Sequence, residues 1–119
     1  MKPSVQWIEY KGKKILFCDF SGIDENQYMT GVDMMEKELL AQPPGSNVPL
    51  LIDVSNSRMT LATRDRGKKT VDVLLTTSIT TKTVMIGITG LQKLIAQAIS
   101  RDVHYANDLD SAKDWLANQ

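Results

Sequence analysis

The sequence predicts an α/β fold with a single open, mostly parallel sheet and the element order β-β-α-β-α-β-α-β-α. Two strand-like segments at the start are separated by a short turn, which predicts an antiparallel hairpin at the sheet edge. After this hairpin, apolar runs alternate with segments of helical period, as expected for parallel strands joined by helical crossovers. The clearest unit is 83–101, where an apolar run over 84–88 leads directly into an amphipathic helix.

Length and composition limit the class of protein. The chain of 119 residues predicts one domain, 1–119, with a core of its own. Its net charge is zero, so we expect no nucleic-acid partner. A single cysteine, Cys18, and a single histidine, His104, leave little for a disulfide or a metal site, and no cofactor is expected. The start of the chain lacks a signal-peptide pattern and no apolar run could span a bilayer, which predicts a cytoplasmic protein without stable membrane insertion.

The first two strands are predicted at Val5–Tyr10 and Ile15–Phe20, joined by the turn Lys11-Gly12-Lys13-Lys14. The first strand is expected at a sheet edge, where exposed lysines are common. Trp7 on this strand either forms an exposed aromatic patch for self-association or belongs to the core. Cys18 lies among large apolar residues, so a buried, unreactive thiol is expected.

The first helix is predicted from Asp24, a helix N-cap with Gln27 at the capping-box position, to about Ala41. Its apolar residues recur at helical spacing on one face: Tyr28, Val32, Met35 and Leu39. Gly31 in the middle of the helix indicates close packing there. The methionines of this helix either fill gaps in the core or form an adaptable docking surface.

The central part of the chain contains a buried strand, Val48–Val54, and then the less regular segment 58–81. Thr60 is a candidate cap for a second helix with a partial apolar stripe. The stripe consists of Leu61, Val71, Leu74 and Leu75. A polar, β-branched connector, Thr76–Thr81, leads to the next strand.

The third helix should begin with a capping box formed by Thr89 and Gln92. One apolar stripe is predicted along it, consisting of Leu91, Leu94, Ile95, Ala98 and Ile99. Gly87 and Gly90 either only make the turn or bring backbone amides to an anion. A short strand, Val103–Ala106, and a last helix capped by Asp108 complete the predicted fold.

Polar residues follow the strands at the carboxyl edge of the predicted sheet, where α/β domains usually bind ligands. The candidate ligand-binding residues are Asp19, Ser21, Asp53, Ser55, Asn56, Thr60, Thr89 and Gly90. The alternative is that these residues only form caps and turns. Asp19 and Asp53 lack a neighbouring nucleophile or histidine, so no catalytic residue and no enzyme activity are expected.

A basic segment follows the central strand. Its candidate partner-binding residues are Arg58, Arg64, Arg66 and Lys68. They could meet an acidic protein or an anionic ligand near the carboxyl edge of the sheet. The alternative is a solvated, charged helix face.

Four stretches together resemble the SpoIIAA-like proteins: WIEYKGKKILFCDFSG, LLIDVSNS, TVMIGITGLQKLIAQAISR and the terminal DLDSAKDWL. That group overlaps the STAS domains (anti-sigma-factor-antagonist-like modules) and, more distantly, Sec14-type lipid-binding proteins. The resemblance covers nearly the whole chain and implies one open, mostly parallel sheet in a cytosolic bacterial protein. STAS antagonists carry a regulatory serine after the central strand. Here Thr60 and Thr63 are nearest to its place, and they are the candidate phosphosites.

Two functional hypotheses follow. The first is a non-enzymatic regulatory or protein-interaction module of STAS-like type, with a protein partner and a homodimeric state. The second is a binding protein for a small anionic ligand, a nucleotide or a lipid, at the carboxyl ends of the parallel strands.

Overall fold

The computed structural model describes residues 2–99 and 102–119, with the backbone only at 98 and 99. Its five strands are β1 (Ser4–Tyr10), β2 (Lys13–Asp19), β3 (Asn47–Asp53), β4 (Thr80–Ile86) and β5 (Val103–Ala106). They form one sheet in the order β1-β2-β3-β4-β5. The β1–β2 pair is antiparallel and the other three pairs are parallel, so the predicted fold class is confirmed. Because the strand order is monotonic, the sheet has no topological switch point at which a crevice would open.

The four helices are α1 (Glu25–Leu40), α2 (Leu61–Leu75), α3 (Gly90–Ile99) and α4 (Leu109–Ala117). Two apolar clusters, one on each face of the sheet, hold the layers together. The larger one joins α1 and α3 to alternate residues of β2, β3 and β4. The smaller one joins α4 to the intervening residues of the same strands. The sheet is therefore covered on both faces, as the apolar character of its central strands predicts.

The capping box and the apolar face predicted for the first helix are confirmed in α1. Asp24 accepts a hydrogen bond from the Gln27 amide, and the Gln27 side chain accepts one from the Asp24 amide. The predicted apolar face of α1 is buried, together with Gly31. A Cβ at Gly31 would lie 2.5 Å from Cε1 of Phe20, which explains the glycine in mid-helix.

The start of β4 differs from the prediction. Thr80 and Thr81 were expected in a connector, but they pair with Asn47 and Val48 of β3. Threonine is β-branched and favours extended backbone, so the strand continues through these polar residues. This extension places Thr80 and Thr81 at the amino-terminal edge of the sheet.

The apolar stripe predicted for α3 is only partly buried. Leu91 and Leu94 remain 72% and 66% exposed, whereas Ala96 is buried. The side chains of Ala98 and Ile99, also assigned to this stripe, lie outside the described residues. No helix in the described part of the chain is both long enough and apolar enough to cross a bilayer.

Candidate functional site

An apolar cavity of about 350 Å³ lies between the sheet and helices α1, α2 and α3. The side chains that enclose it come from all three helices and from β3 and β4. The apolar side chains among them include Phe20, Tyr28, Val32, Met35, Leu50, Ile52, Val71, Leu74, Met85 and Ala96. This volume falls within the range of small-molecule sites, which are concave and mostly apolar.

The cavity arises from the composition of the inner face of α2. α1 faces the sheet with large apolar residues. α2 faces the cavity with Val71 and Leu74, but also with Thr63, Gly67 and Thr70, which follow one another at helical spacing. Thr63 and Thr70 are buried, at 1% and 3% exposure. Small side chains under a helix leave space that the neighbouring side chains do not fill. Sequence reasoning missed this site, although the Thr-Gly-Thr spacing was its signal.

A charged cluster fixes α2 above the cavity. Arg66 donates from Nη1 and Nη2 to the two carboxylate oxygens of Glu36 in α1, at 3.3 and 3.1 Å. It also donates from Nη2 to Asp33, at 2.8 Å. The Thr70 hydroxyl donates to Glu36 at 3.0 Å and accepts from Arg66 at 2.9 Å. The hydrogen bonds from Arg66, and then that from Thr70, lower the pKa of Glu36 below its ordinary value.

The mouth of the cavity lies at the amino-terminal edge of the sheet. Most lining residues are buried or half-buried, and the exposed ones are Leu75, Thr80 and Asp102. Leu75 ends α2, Thr80 begins β4, and Asp102 precedes β5. These residues meet at one end, so the cavity opens between the end of α2 and the start of β4 and β5.

The predicted carboxyl-edge residues lie at the opposite end of the sheet. The register aligns Asp19 with Asp53 on adjacent strands. The Ser21 hydroxyl donates to Asp19 at 2.6 Å, and the Ser55 amide donates to Asp53 at 2.9 Å. The Ser21 amide also donates to Asp19, at 3.1 Å, so each carboxylate accepts from the backbone amide two positions later, the geometry of an Asx turn.

The remaining carboxyl-edge residues also have local contacts. The Thr89 amide donates to the Gln92 side chain and the Gln92 amide to the Thr89 hydroxyl, which confirms the capping box. Asn56 is exposed with φ of 56°, as in a tight turn. Gly90 begins α3 with open space where a Cβ would be. The structure therefore brings these residues to one edge, where the described contacts are those of caps and turns.

The two candidate phosphosites cap α2. The Thr63 amide donates to the Thr60 hydroxyl, and the Thr63 hydroxyl donates to the Thr60 carbonyl oxygen at 2.9 Å. Thr63 is also buried and lines the cavity. Thr60 is half-buried at the start of the helix.

The basic residues of the predicted partner surface do not form one patch. Arg66 lies in the cluster with α1, with 18% of its side chain exposed. Arg64 forms an ion pair with its neighbour Asp65 at 3.0 Å. Arg58 and Lys68 are exposed. Arg66 therefore forms a contact inside the fold, whereas the other three residues are separate charges.

The other candidate side chains differ in exposure. Cys18 is buried, as predicted, and burial raises the pKa of its thiol above the ordinary value. His104 stacks on Trp115 of α4, with ring centroids 4.2 Å apart. Trp7 is 37% exposed and donates from its indole nitrogen to Glu38 of α1. Within 2–99 and 102–119, no group of three or more histidine, cysteine or acidic side chains is arranged to hold a metal ion.

Comparisons with known proteins identify the fold. No protein-family model matches the sequence, and a search of curated proteins finds no match. One similar solved structure is that of an uncharacterized protein of the DUF3478 family with a SpoIIAA-like fold from Shewanella loihica PV-4. The similarity covers 97% of this chain and 94% of that chain, at 15% sequence identity and a TM-score of 0.64. The chain therefore has a SpoIIAA-like fold.

Proposed function

We propose that this protein is a non-enzymatic binding module that holds the hydrocarbon chain of a lipid-like molecule between its sheet and α2. The observation that carries the proposal is the apolar cavity of about 350 Å³ beneath α2. A lipid was one of the ligands expected from the sequence. The cavity, however, favours an apolar chain at the amino-terminal edge of the sheet over an anion at the carboxyl edge.

The size of the cavity fits one chain. At ~30 Å³ for a group the size of water, it holds about ten to twelve such groups. A methylene group is of similar size, so a single chain of about ten carbons fills it. A lipid with two long chains would leave most of one chain outside.

The expected affinity follows from the buried surface. Each methylene removed from water contributes about 0.8 kcal/mol, so ten contribute about 8 kcal/mol. Lost translational and rotational freedom removes at least ~4 kcal/mol of this gain. At most about 4 kcal/mol remains, so a dissociation constant of about 1 mM or weaker is expected for a ten-carbon chain.

Isothermal titration calorimetry with 1-decanol tests the proposal. The expected result is saturable binding of one decanol per chain. Ala96→Leu adds three carbons to a buried residue of the cavity wall and should abolish binding. Ala62→Leu is the matched control, because Ala62 is exposed on α2 and does not line the cavity. Absence of saturable binding to the wild type, or equal binding by Ala96→Leu, contradicts the proposal.

A second function, association with another copy of the chain, is favoured by one observation. Leu61 of α2 and Leu91 and Leu94 of α3 are 64%, 72% and 66% exposed. α2 and α3 are neighbouring helices, and large apolar side chains exposed on one side of a protein are typical of interfaces. On this proposal the wild type sediments as a dimer and the double variant Leu91→Ser/Leu94→Ser as a monomer. A monomeric wild type at high micromolar concentration rules out this second function.

A further inference from the structure

We propose that the apolar chain of the ligand ends in an aromatic ring, as in an arylalkyl compound, and that this ring binds at the inner end of the cavity. The inference rests on the proposed function, because it names the class of ligand for the same cavity. It follows from the types of side chain along the cavity wall, which differ between the inner end and the mouth.

The inner end of the cavity lies at the carboxyl edge of the sheet and is lined by aromatic and sulfur-containing side chains. Phe20 directly follows β2, and Tyr28 lies near the start of α1. Met59 precedes α2, and Met85 is the second-last residue of β4. Because β2 and β4 end at this edge and α1 and α2 begin there, the four side chains line the same end of the cavity.

The part of the cavity nearer the mouth is lined mainly by aliphatic side chains and threonines. Leu39 and Leu74 lie at the ends of α1 and α2, and Ile79 directly precedes β4. Thr81 lies at the start of β4, and Met35 of α1 lies between the two parts. The aromatic and sulfur groups of the wall are therefore concentrated at the inner end.

An aromatic ring forms contacts with these groups that a saturated chain does not form. The sulfur of methionine is polarisable and contacts aromatic rings favourably at about 5 Å. The rings of Phe20 and Tyr28 contact each other edge to face, with centroids 5.2 Å apart. A third ring beside them gains the same kind of contact, because the positive edge of one ring meets the negative face of another. The inner end therefore favours an aromatic group over an aliphatic group of equal size.

The cavity has room for a ring in this place. A phenyl ring with a four-carbon chain contains as many carbons as the chain of about ten that fills the cavity of about 350 Å³. Met59 is half-buried and packs at the border of the apolar cluster, and its unbranched side chain has three rotatable bonds. Such a side chain adapts to a flat ring without a change in the backbone.

NMR titration of the labelled full chain with two probes tests the inference. The probes are 4-phenyl-1-butanol and 4-cyclohexyl-1-butanol, which have the same number of carbons and the same hydroxyl and differ only in the ring. The phenyl probe should bind at least as tightly as the cyclohexyl probe, although a phenyl ring is the less hydrophobic of the two. Tighter binding of the cyclohexyl probe contradicts the inference.

Methyl resonances of the methionines locate the bound ring. The ring current of the phenyl probe should shift the methyl groups of Met59 and Met85, whereas the cyclohexyl probe, which has no ring current, should shift them much less. Met34 is the internal control, because it is 37% exposed on α1 and does not line the cavity. Equal shifts with the two probes show that the ring does not bind at the inner end.

A double variant tests the role of sulfur. Met59→Leu/Met85→Leu removes both sulfur atoms with little change in volume. It should weaken binding of the phenyl probe at least about threefold, which corresponds to about 0.7 kcal/mol, the lower end for two sulfur–aromatic contacts. Binding of the cyclohexyl probe, which reports any change in the shape of the cavity, should stay within about twofold. Met34→Leu is the matched control and should change neither affinity. Equal losses for the two probes, or no loss for the phenyl probe, overturn the inference.

The two proposals fail in different ways. If neither ring probe nor 1-decanol binds, the proposed function itself is wrong and the inference fails with it. If 1-decanol and the cyclohexyl probe bind and the phenyl probe binds more weakly, the cavity still holds an apolar chain, but the inference about its aromatic ring is overturned.

Discussion

Arg66 of α2 binds both carboxylate oxygens of Glu36 in α1, through hydrogen bonds of 3.3 and 3.1 Å from two different guanidinium nitrogens. The two side chains are 18% and 20% exposed, so this pair is largely shielded from water. It joins α2, which lies above the cavity, to α1, which contributes more buried residues to the described core than α2 does. The pair therefore fixes the position of α2, whose own inner face contributes few large apolar side chains.

Arg66→Ala should lower the free energy of unfolding by about 2–3 kcal/mol, because it leaves the half-buried Glu36 carboxylate without its charged partner. Urea denaturation at pH 7 measures this loss. Arg64→Ala is the matched control on the same helix. Its ion pair with Asp65, which is 68% exposed, should contribute less than about 0.5 kcal/mol. Equal losses in the two variants would show that the Arg66 cluster does not hold α2.

The stability that Glu36 contributes should depend on pH. Its pKa is lower in the folded chain than in the unfolded chain, chiefly because of the hydrogen bonds from Arg66. The contribution is therefore complete above the ordinary glutamate pKa of about 4.3 and is lost as the pH falls through the lower folded value. The stability difference between wild type and Glu36→Gln should be constant from pH 7 to pH 5 and shrink toward pH 3. A difference that stays the same down to pH 3 refutes this account of Glu36.

Gly87→Ala should be strongly destabilising, by about 3 kcal/mol or more, for two reasons. Gly87 has φ of 76°, and a Cβ there would lie 1.9 Å from Oγ and 2.6 Å from Cα of Ser55. Gly12→Ala is the control, because Gly12 has φ of 79° but open space around it. Gly12→Ala should lower the free energy of unfolding by only roughly 1 kcal/mol, the cost of holding an alanine at positive φ. Thermal or urea unfolding measures both losses, and equal losses would show that the Ser55 contact is unimportant.

Cys18 should be unreactive in the native protein. It is buried in β2, and burial raises the pKa of its thiol, so almost none of it is the nucleophilic thiolate at pH 8. Ellman's reagent should therefore modify the folded chain at least about a hundredfold more slowly than the urea-unfolded chain. Rapid modification of the native protein at pH 8 contradicts the burial of this strand.

The sequence predicts the sheet well because its signals are local. The capping box at Asp24 and Gln27 and the apolar runs of β3 and β4 depend only on neighbouring residues, and the structure confirms them. The start of β4 was missed because Thr80 and Thr81 are polar, whereas their pairing with β3 decides their conformation. Helical period alone also does not show which side of α3 meets the sheet, so the exposure of Leu91 was not predicted.

The candidate site was harder to predict for a physical reason. The polar carboxyl edge carries residue types that suggest ligand binding, yet those same types form caps and turns, as at Asp53 and Ser55. A cavity, in contrast, is produced by side chains that are too small for the space around them. Its signal was the spacing of Thr63, Gly67 and Thr70, which becomes meaningful only once α2 is placed over the sheet.

The most direct test of the central claim is the ¹H–¹⁵N spectrum of the labelled chain titrated with 1-decanol. The predicted result is saturable shifts at the amides of Thr83, Met85 and Ala96, which line the cavity, and small changes at Asp19 and Asp53. Shifts confined to the Asp19–Asp53 edge, or no saturable shift at any of these amides, would contradict the claim that the cavity beneath α2 binds the hydrocarbon chain.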